Sequence, residues 1–343
     1  MKRIALIWLC LVGGLVPAMA QQACPGNPDA IGTSRTITVN PAMLPQIGTL
    51  QYATTLPLED HEVAITFDDG PLPPYSTMIL DTLKANCVKA TYFLVGMMAH
   101  AYPSVVRRIY NEGHTIGTHS LDHPYGFEHL ALARAENEVT AGIAAVQAAV
   151  GDPNAVSPFF RIPGLGRTKE IEHFLASQSL TVWSTDTSAD DWHRGITSAM
   201  IAQLAISRIE ANKHRGVLLL HDIHPTTAMA LPVILKELKA RGYHIVQVVP
   251  NRDMPKSVPE LPATAVAERS AWPTVVKTSA PAEATGSIPA VHHASAAPSP
   301  AMHVLRHKVG NWFASNHPTA KPKSKDATPD YFAIAMEQKN KQF

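Results

Sequence analysis

From about residue 61 the chain alternates between two kinds of apolar run. Short stretches rich in Val, Ile, Leu, Thr and Phe lie at Val63–Phe67, Ala90–Val95, Thr115–His119, Phe159–Pro163, Leu180–Thr185, Gly216–His221 and His244–Val248. Their length and residue types are those of buried strands. Between them, apolar positions recur at helical spacing in Ser76–Asn86 (Met78, Ile79, Leu83), Ser104–Glu112, the Ala-rich Glu128–Val150, Lys169–Ser177, Thr197–His214 and Thr227–Arg241. Strands separated by helices of this length imply βαβ units and a parallel sheet. Seven such units suit an irregular (β/α)7-type barrel. An open doubly wound sheet is the alternative, and no glycine-rich dinucleotide fingerprint supports it.

The flanks read differently. Residues 21–60, rich in Pro, Gly, Thr and Asn, read as an extended arm lying on the folded domain, which spans residues 61–250. Residues 251–343 are dominated by Pro, Ala, Ser, Thr, Lys and His, without a sustained apolar period. Such a segment buries too little to offset its ordering entropy and reads as a disordered tail. His292 and His293 in it read as solvated, and 330–336 as a short helix at most. At the other end, Lys2-Arg3, an apolar run from Ile4 to Val16 and Ala18-Met19-Ala20 form a secretory leader pattern over residues 1–20. A retained anchor is the competing reading, but the run is shorter than the roughly 20 residues a spanning helix wants. The expectation is export to the periplasm or beyond, with no transmembrane segment in the mature chain.

Composition adds exclusions. With 45% hydrophobic and 17% charged residues the 343-residue chain can build a globular core. A formal net charge of +1 offers no electrostatic argument for nucleic acid as partner. The expected state is a monomer. Beyond Cys10 in the leader, two cysteines remain, Cys24 and Cys87. An oxidising compartment would favour a disulfide between them, whereas Cys87 could equally be a small buried residue of a helical segment.

In parallel α/β barrels the reactive groups gather at the carboxyl ends of the strands. The exits carry Asp68-Asp69, then His119 with His123, then Arg161, then Asp186 to Asp190-Asp191-Trp192, then Leu219-Leu220-His221-Asp222. Adjacent carboxylates disfavour each other's ionised form, so Asp68-Asp69 calls for a compensating charge. His119 and His123 have a spacing that lets two imidazoles reach one ion. With 17 histidines in the chain the pair alone says little. Joined to an Asp from another strand exit it makes a two-His, one-carboxylate set, suited to Zn or a similar divalent metal.

Thr66-Phe-Asp-Asp-Gly-Pro71, His119-Ser-Leu-Asp-His-Pro124, Arg161-Ile-Pro163, Asp191-Trp192 and Leu219-Leu-His221 resemble, in order, the five motifs of the polysaccharide deacetylases. This is the nodulation protein B homology domain, or carbohydrate esterase family 4, which includes chitooligosaccharide deacetylases. The resemblance spans about Glu62 to Val249. It implies an irregular (β/α) barrel and a hydrolase that removes acetyl groups from an N-acetylated glycan. It further implies Asp68 as catalytic base, Asp69, His119 and His123 as metal ligands (zinc, or cobalt or another divalent ion), and His221 as general acid. Arg161 would orient Asp68, Asp191 would tune His221, and Trp192 and Leu219 would shape the acetyl pocket.

Two departures from the family pattern are visible. Gly164 stands where a Tyr often follows the Arg-x-Pro, leaving its backbone N–H as a candidate oxyanion donor. The stretch from Asp186 to Trp192 is long, so Asp186 and Asp190 compete with Asp191 for the tuning role. Plainer readings stand beside these: a turn-forming Asp68-Asp69 pair, an Arg161 ion pair of structural use, and a Trp192 that fills core. Asp222 reads as orienting a neighbour or capping a helix, and His224 as a surface loop residue. His61, His114 and His244 carry no assigned role. Three activities fit the pattern: N-deacetylation of an N-acetylglucosamine-containing glycan such as chitooligosaccharide or peptidoglycan, O-deacetylation of a xylan-like glycan, and non-catalytic glycan binding by a pseudoenzyme of the same fold.

Overall fold

The computed structural model describes residues 24–251. The leader with Cys10, and the tail from residue 252 with His292, His293 and the 330–336 segment, lie outside the described residues. Ten strands run β1 (Thr33–Val39), β2 (Gln46–Ile47), β3 (Glu62–Asp68), β4 (Thr91–Leu94), β5 (Thr115–Thr118), β6 (Val156–Arg161), β7 (Thr181–Trp183), β8 (Thr187–Ser188), β9 (Gly216–His221) and β10 (His244–Pro250). Between them lie helices α1 (Tyr75–Ala85), α2 (Gly96–Ala101), α3 (Pro103–Asn111), α4 (Leu132–Val150), α5 (Lys169–Ser177), α6 (Ser198–Ala211) and α7 (Pro225–Ala240).

Every strand pairing is parallel. From β3 the ladder passes through β4, β5, β6 and β7 in one direction and through β9 to β8 in the other. Strands β3 to β9 therefore follow one another around an irregular (β/α)7-type barrel. The ring is left unclosed by hydrogen bonds between β7 and β8, where β2 pairs with β7 instead.

Side-chain alternation along β3 sorts the core. Val63, Ile65 and Phe67 face the layer of helices, where they meet Ile79, Leu83, Leu231 and Ile234. Ala64 faces inward with Phe93, Phe159, Trp183, Val217 and Val246. A strand's period of two makes this split automatic. It also sends Asp68, like Ala64, toward the barrel interior.

Three departures from the sequence expectation have physical causes. The helical stretch from Glu128 is broken: a short 3-10 turn at Phe127–His129 buries Phe127, then Leu130 and Ala131 take extended conformations before α4 begins. The short α2 and the strands β1, β2 and β8 also formed no part of that expectation. The extended segment before Asp60 does more than lie on the domain, because β1 pairs with β10 and the Arg35 guanidinium grips buried Glu62 of β3 by two 2.6 Å bonds. At the open seam, Asp186 accepts hydrogen bonds from the Thr49 backbone (2.7 Å), the Thr49 and Thr55 hydroxyls (2.8 Å each) and the Val217 backbone (2.8 Å). One buried carboxylate thus joins the N-terminal segment to β9.

Cys24 and Cys87 form a disulfide across 63 residues, with Cα atoms 5.7 Å apart. It ties the start of the described chain to the end of α1. Loop-closure entropy puts its worth at about 2–4 kcal/mol. The Cys24→Ser, Cys87→Ser double variant is expected to lose that much unfolding free energy, read by urea titration as a lower midpoint with an m-value no smaller than the parent's; an unmoved midpoint contradicts the assignment.

Candidate active site

At the exit of β3 two neighbouring carboxylates approach the same imidazole, although consecutive strand residues should point to opposite faces. The strand ends at Asp68, and Asp69 adopts φ +77°. That left-handed turn, uncommon for a residue other than glycine, redirects the second carboxylate. As a result the His119 Nε2 lies 3.7 Å from Asp68 Oδ2 and 3.4 Å from Asp69 Oδ1. Both acids are 2% exposed, so their charges act with little solvent screening.

The two are treated differently by their neighbours. Arg161, fully buried at the end of β6, donates from Nη1 to Asp68 Oδ1 at 2.6 Å. The same nitrogen donates to the Thr66 hydroxyl at 2.9 Å, Nη2 donates to the Ser184 carbonyl at 2.8 Å, and the guanidinium lies over the Phe93 ring at 4.3 Å. Burial pulls the guanidinium below its ordinary pKa, and Asp68 pushes back against that pull. Asp68 is therefore fixed by a cation. Asp69 instead faces imidazoles: His119 Nε2 and His123 Nε2 each stand 3.4 Å from its Oδ1.

Asp69, His119 and His123 each offer a ligand atom, and these atoms lie within 4.8 Å of one another. The His119 Nδ1 is 2.7 Å from the Arg161 carbonyl, which can only accept, so the proton sits on Nδ1 and the Nε2 lone pair faces Asp69. A carbonyl that fixes the tautomer in this way is a common support for a metal-bound imidazole. The donor set and its support fit a divalent ion.

The neighbouring strand β9 pairs with β3 so that His221 lies beside Asp68 in register. His221 Nδ1 is 2.7 Å from Asp191 Oδ1, and its backbone N–H donates to Asp191 Oδ2 at 2.7 Å. The Thr227 hydroxyl donates to the same Oδ2 at 2.6 Å. Burial alone would lower the His221 pKa, but the Asp191 charge and hydrogen bond outweigh it and push the imidazole up to about 10. Asp191 is held below its ordinary value, burial opposing and His221 prevailing.

The competition among three acids is resolved by their partners. Asp186 is spent on the seam, Asp190 receives both terminal nitrogens of Arg208 at 2.6 Å, and Asp191 holds His221. Trp192, half-buried, sets its ring edge-on to His221 at 5.4 Å, and Leu219 is buried on the adjacent inward position of β9. Gly164 is exposed just past Arg161, with φ +59°. His224 is closer to the chemistry than a surface loop residue would be, its ring 6.0 Å from that of His221. Asp222 does not cap α7, whose N-cap is His224; the Asp222 carbonyl accepts the Ser76 hydroxyl of α1 at 3.1 Å. It is fully buried, and a Cβ on Gly70 would collide with its carboxylate, which burial pushes up to about 7. Thr227, Ser184 and Glu138 were not among the candidates drawn from the motifs. Only Glu138 left a signal, a carboxylate on the apolar stripe Ala135, Val139, Gly142, Val146 of α4.

Residues 56–183 match the family model for polysaccharide deacetylase. A peptidoglycan-N-acetylglucosamine deacetylase of Bacillus cereus is 31% identical over 201 residues, which is 56% of this chain and 89% of that protein. The chain belongs to the polysaccharide deacetylase family. Another relative of this chain, the peptidoglycan-N-acetylglucosamine deacetylase PgdA of Listeria monocytogenes, is 35% identical over 188 residues, but the match spans only 38% of the Listeria protein. Among solved structures, a peptidoglycan deacetylase of Bdellovibrio bacteriovorus superposes with a TM-score of 0.56 at 29% identity, over 63% of this chain and 58% of that one. Among the described residues of this chain, no helix is long and apolar enough to cross a membrane.

Proposed function

We propose that this chain is a metal-dependent hydrolase that removes the N-acetyl group from N-acetylglucosamine residues of a peptidoglycan-type glycan outside the cytoplasm. The observation that carries the reading is the pairing of an acid and a base in register on neighbouring strands. Asp68 is paired with Arg161 and His221 is kept charged by Asp191, next to the Asp69–His119–His123 set. The names of the relatives support the glycan, and the Cys24–Cys87 disulfide supports an oxidising compartment.

Amide hydrolysis needs an activated water, charge stabilisation at the carbonyl oxygen, and a proton for a poor leaving group. Asp69, His119 and His123 would hold a divalent ion, zinc by their donor types, which when bound acidifies water and polarises a carbonyl. Asp68 takes the proton of the attacking water, its carboxylate fixed by the 2.6 Å bond from Arg161. His221 gives its Nε2 proton to the departing nitrogen, while Asp191 fixes the ring through Nδ1. Trp192 and Leu219 form the wall that receives the acetyl methyl, and the Gly164 N–H is available to the developing oxyanion.

The test is acetate release by the purified chain from N-acetylglucosamine oligomers, peptidoglycan and acetylated xylan. Release from the first two that a chelator abolishes and added Zn²⁺ or Co²⁺ restores is the expected result. Release from acetylated xylan alone would reassign the substrate to an O-acetyl ester, and no release from any of them would leave a glycan-binding pseudoenzyme.

A further inference from the structure

The segment that carries His119 and His123 is strained and yet tightly held. Ser120 and His123 adopt φ +66° and +52°, conformations that cost non-glycine residues about 1–3 kcal/mol each and persist only where their surroundings enforce them. Two helices supply the enforcement. The Gly96 and Met97 N–H groups of α2 donate to the Ser120 and Leu121 carbonyls at 3.0 and 2.8 Å. From α4, Glu138 Oε2 accepts the Leu121 and Asp122 N–H groups at 3.1 Å each. The Ser120 hydroxyl in turn accepts the His123 N–H at 3.0 Å. One helical turn beyond Glu138, a Cβ on Gly142 would lie 2.5 Å from the Ser120 carbonyl carbon, so α4 presses its bare backbone onto the loop.

Glu138 is only 4% exposed, and it occupies an apolar position of α4. An apolar residue there would pack with Val139 and Ile143 but leave two partly buried N–H groups without the carboxylate that now accepts them. We infer that Glu138 is a positioning residue for metal capture: with Gly142 behind it, it sets the conformation of residues 120–123 and so brings His123 to the ion that Asp69 and His119 share. The inference rests on the metal reading above. It assigns to α4, which supplies no ligand, a share of the metal affinity.

The experiment measures Zn²⁺ affinity of the metal-stripped chain by competition with a chromophoric chelator, alongside thermal unfolding of the stripped protein. Glu138→Ala should weaken Zn²⁺ binding about 10- to 100-fold, the usual cost of removing a group that orients a ligand. Glu138→Gln should restore affinity, because its amide oxygen can accept the same two N–H groups and its amide nitrogen can face the Asp122 carboxyl, which now lies against Glu138. Gly142→Ala provides a second route if Glu138→Ala does not fold: it removes no hydrogen bond and raises helix propensity, so affinity should fall while α4 is not weakened. Parent-like affinity in Glu138→Ala, or in Gly142→Ala where the former is insoluble, overturns the positioning role. Equal weakening in Glu138→Gln and Glu138→Ala overturns it too. A parent chain that binds no Zn²⁺ overturns the metal reading instead, so the two failures are distinguishable.

Discussion

Asp68→Asn should bind metal as the parent chain does and lose activity by about 100- to 10,000-fold, the range expected for removal of a general base. Asp69→Ala should lose the metal itself, and its activity with it. The contrast follows from their neighbours, since the Asp68 carboxylate is engaged by Arg161 at 2.6 Å while Asp69 stands 3.4 Å from two imidazoles. Asparagine retains an oxygen that can accept from Arg161 but removes the negative charge, leaving a fully buried guanidinium without its counter-ion. Breaking a buried pair in this way costs stability, on the order of 3–5 kcal/mol. The variant therefore has to be assayed at a temperature where circular dichroism shows it folded. Bound metal is read by elemental analysis of the dialysed proteins. If Asp68→Asn loses metal as completely as Asp69→Ala, the division of labour between the two is wrong.

The motif resemblance alone implies that division; the turn that brings the two carboxylates to one imidazole is a matter of backbone geometry. Alternation along Val63–Phe67 fixes which way Asp68 points, and the residue types at the strand exits show which acids and imidazoles the fold can gather. Nothing local in Asp-Asp-Gly-Pro announces that Asp69 turns through φ +77° to join its neighbour. The same limit applies along the chain. Lys169–Ser177 and Gly216–His221 match the helix and strand found, because their apolar periods are clean. Strand β1 alternates too, yet Thr, Ser and Arg are so frequent in it that only pairing with β10 makes it a strand. Asp186 and Asp191 lie five residues apart with similar surroundings in sequence, and only tertiary partners separate a seam cross-link from the partner of His221. Glu138 belongs to a third case. Its odd position on an apolar helical stripe is visible in the sequence, but the loop it serves is brought to it by the fold.

Asp191→Asn should move the basic limb of the pH–rate profile to lower pH, and His221→Ala should remove the limb along with most of the rate. The sign comes from the two opposing influences on the imidazole. Burial favours the neutral ring, and Asp191 overrides it to raise the pKa from 6.5 to about 10. Asp68 and Asp69 add to the rise, but a cation held beside them would offset their contribution, so Asp191 is the partner that matters during turnover. Asparagine at 191 can still accept from Nδ1 through its amide oxygen, while its NH2 replaces the oxygen that accepted the His221 N–H and the Thr227 hydroxyl. The ring loses the charge that stabilises the imidazolium. Burial then dominates, and the proton leaves at lower pH. A fall of at least one pH unit in the limb is expected, each unit being about 1.4 kcal/mol of lost preference for the charged ring. The same linkage bears on stability: a group whose pKa is raised on folding stabilises the fold below its unfolded value and loses that contribution as pH rises toward about 10. Asp191→Asn should lack this contribution at neutral pH, and its unfolding free energy should depend less on pH between 7 and 10 than the parent's does. Acetate release across that range, with urea melts at the same pH values, measures both effects. A basic limb that stays where the parent's lies would remove His221 from the role of acid and leave its pair with Asp191 as structure alone.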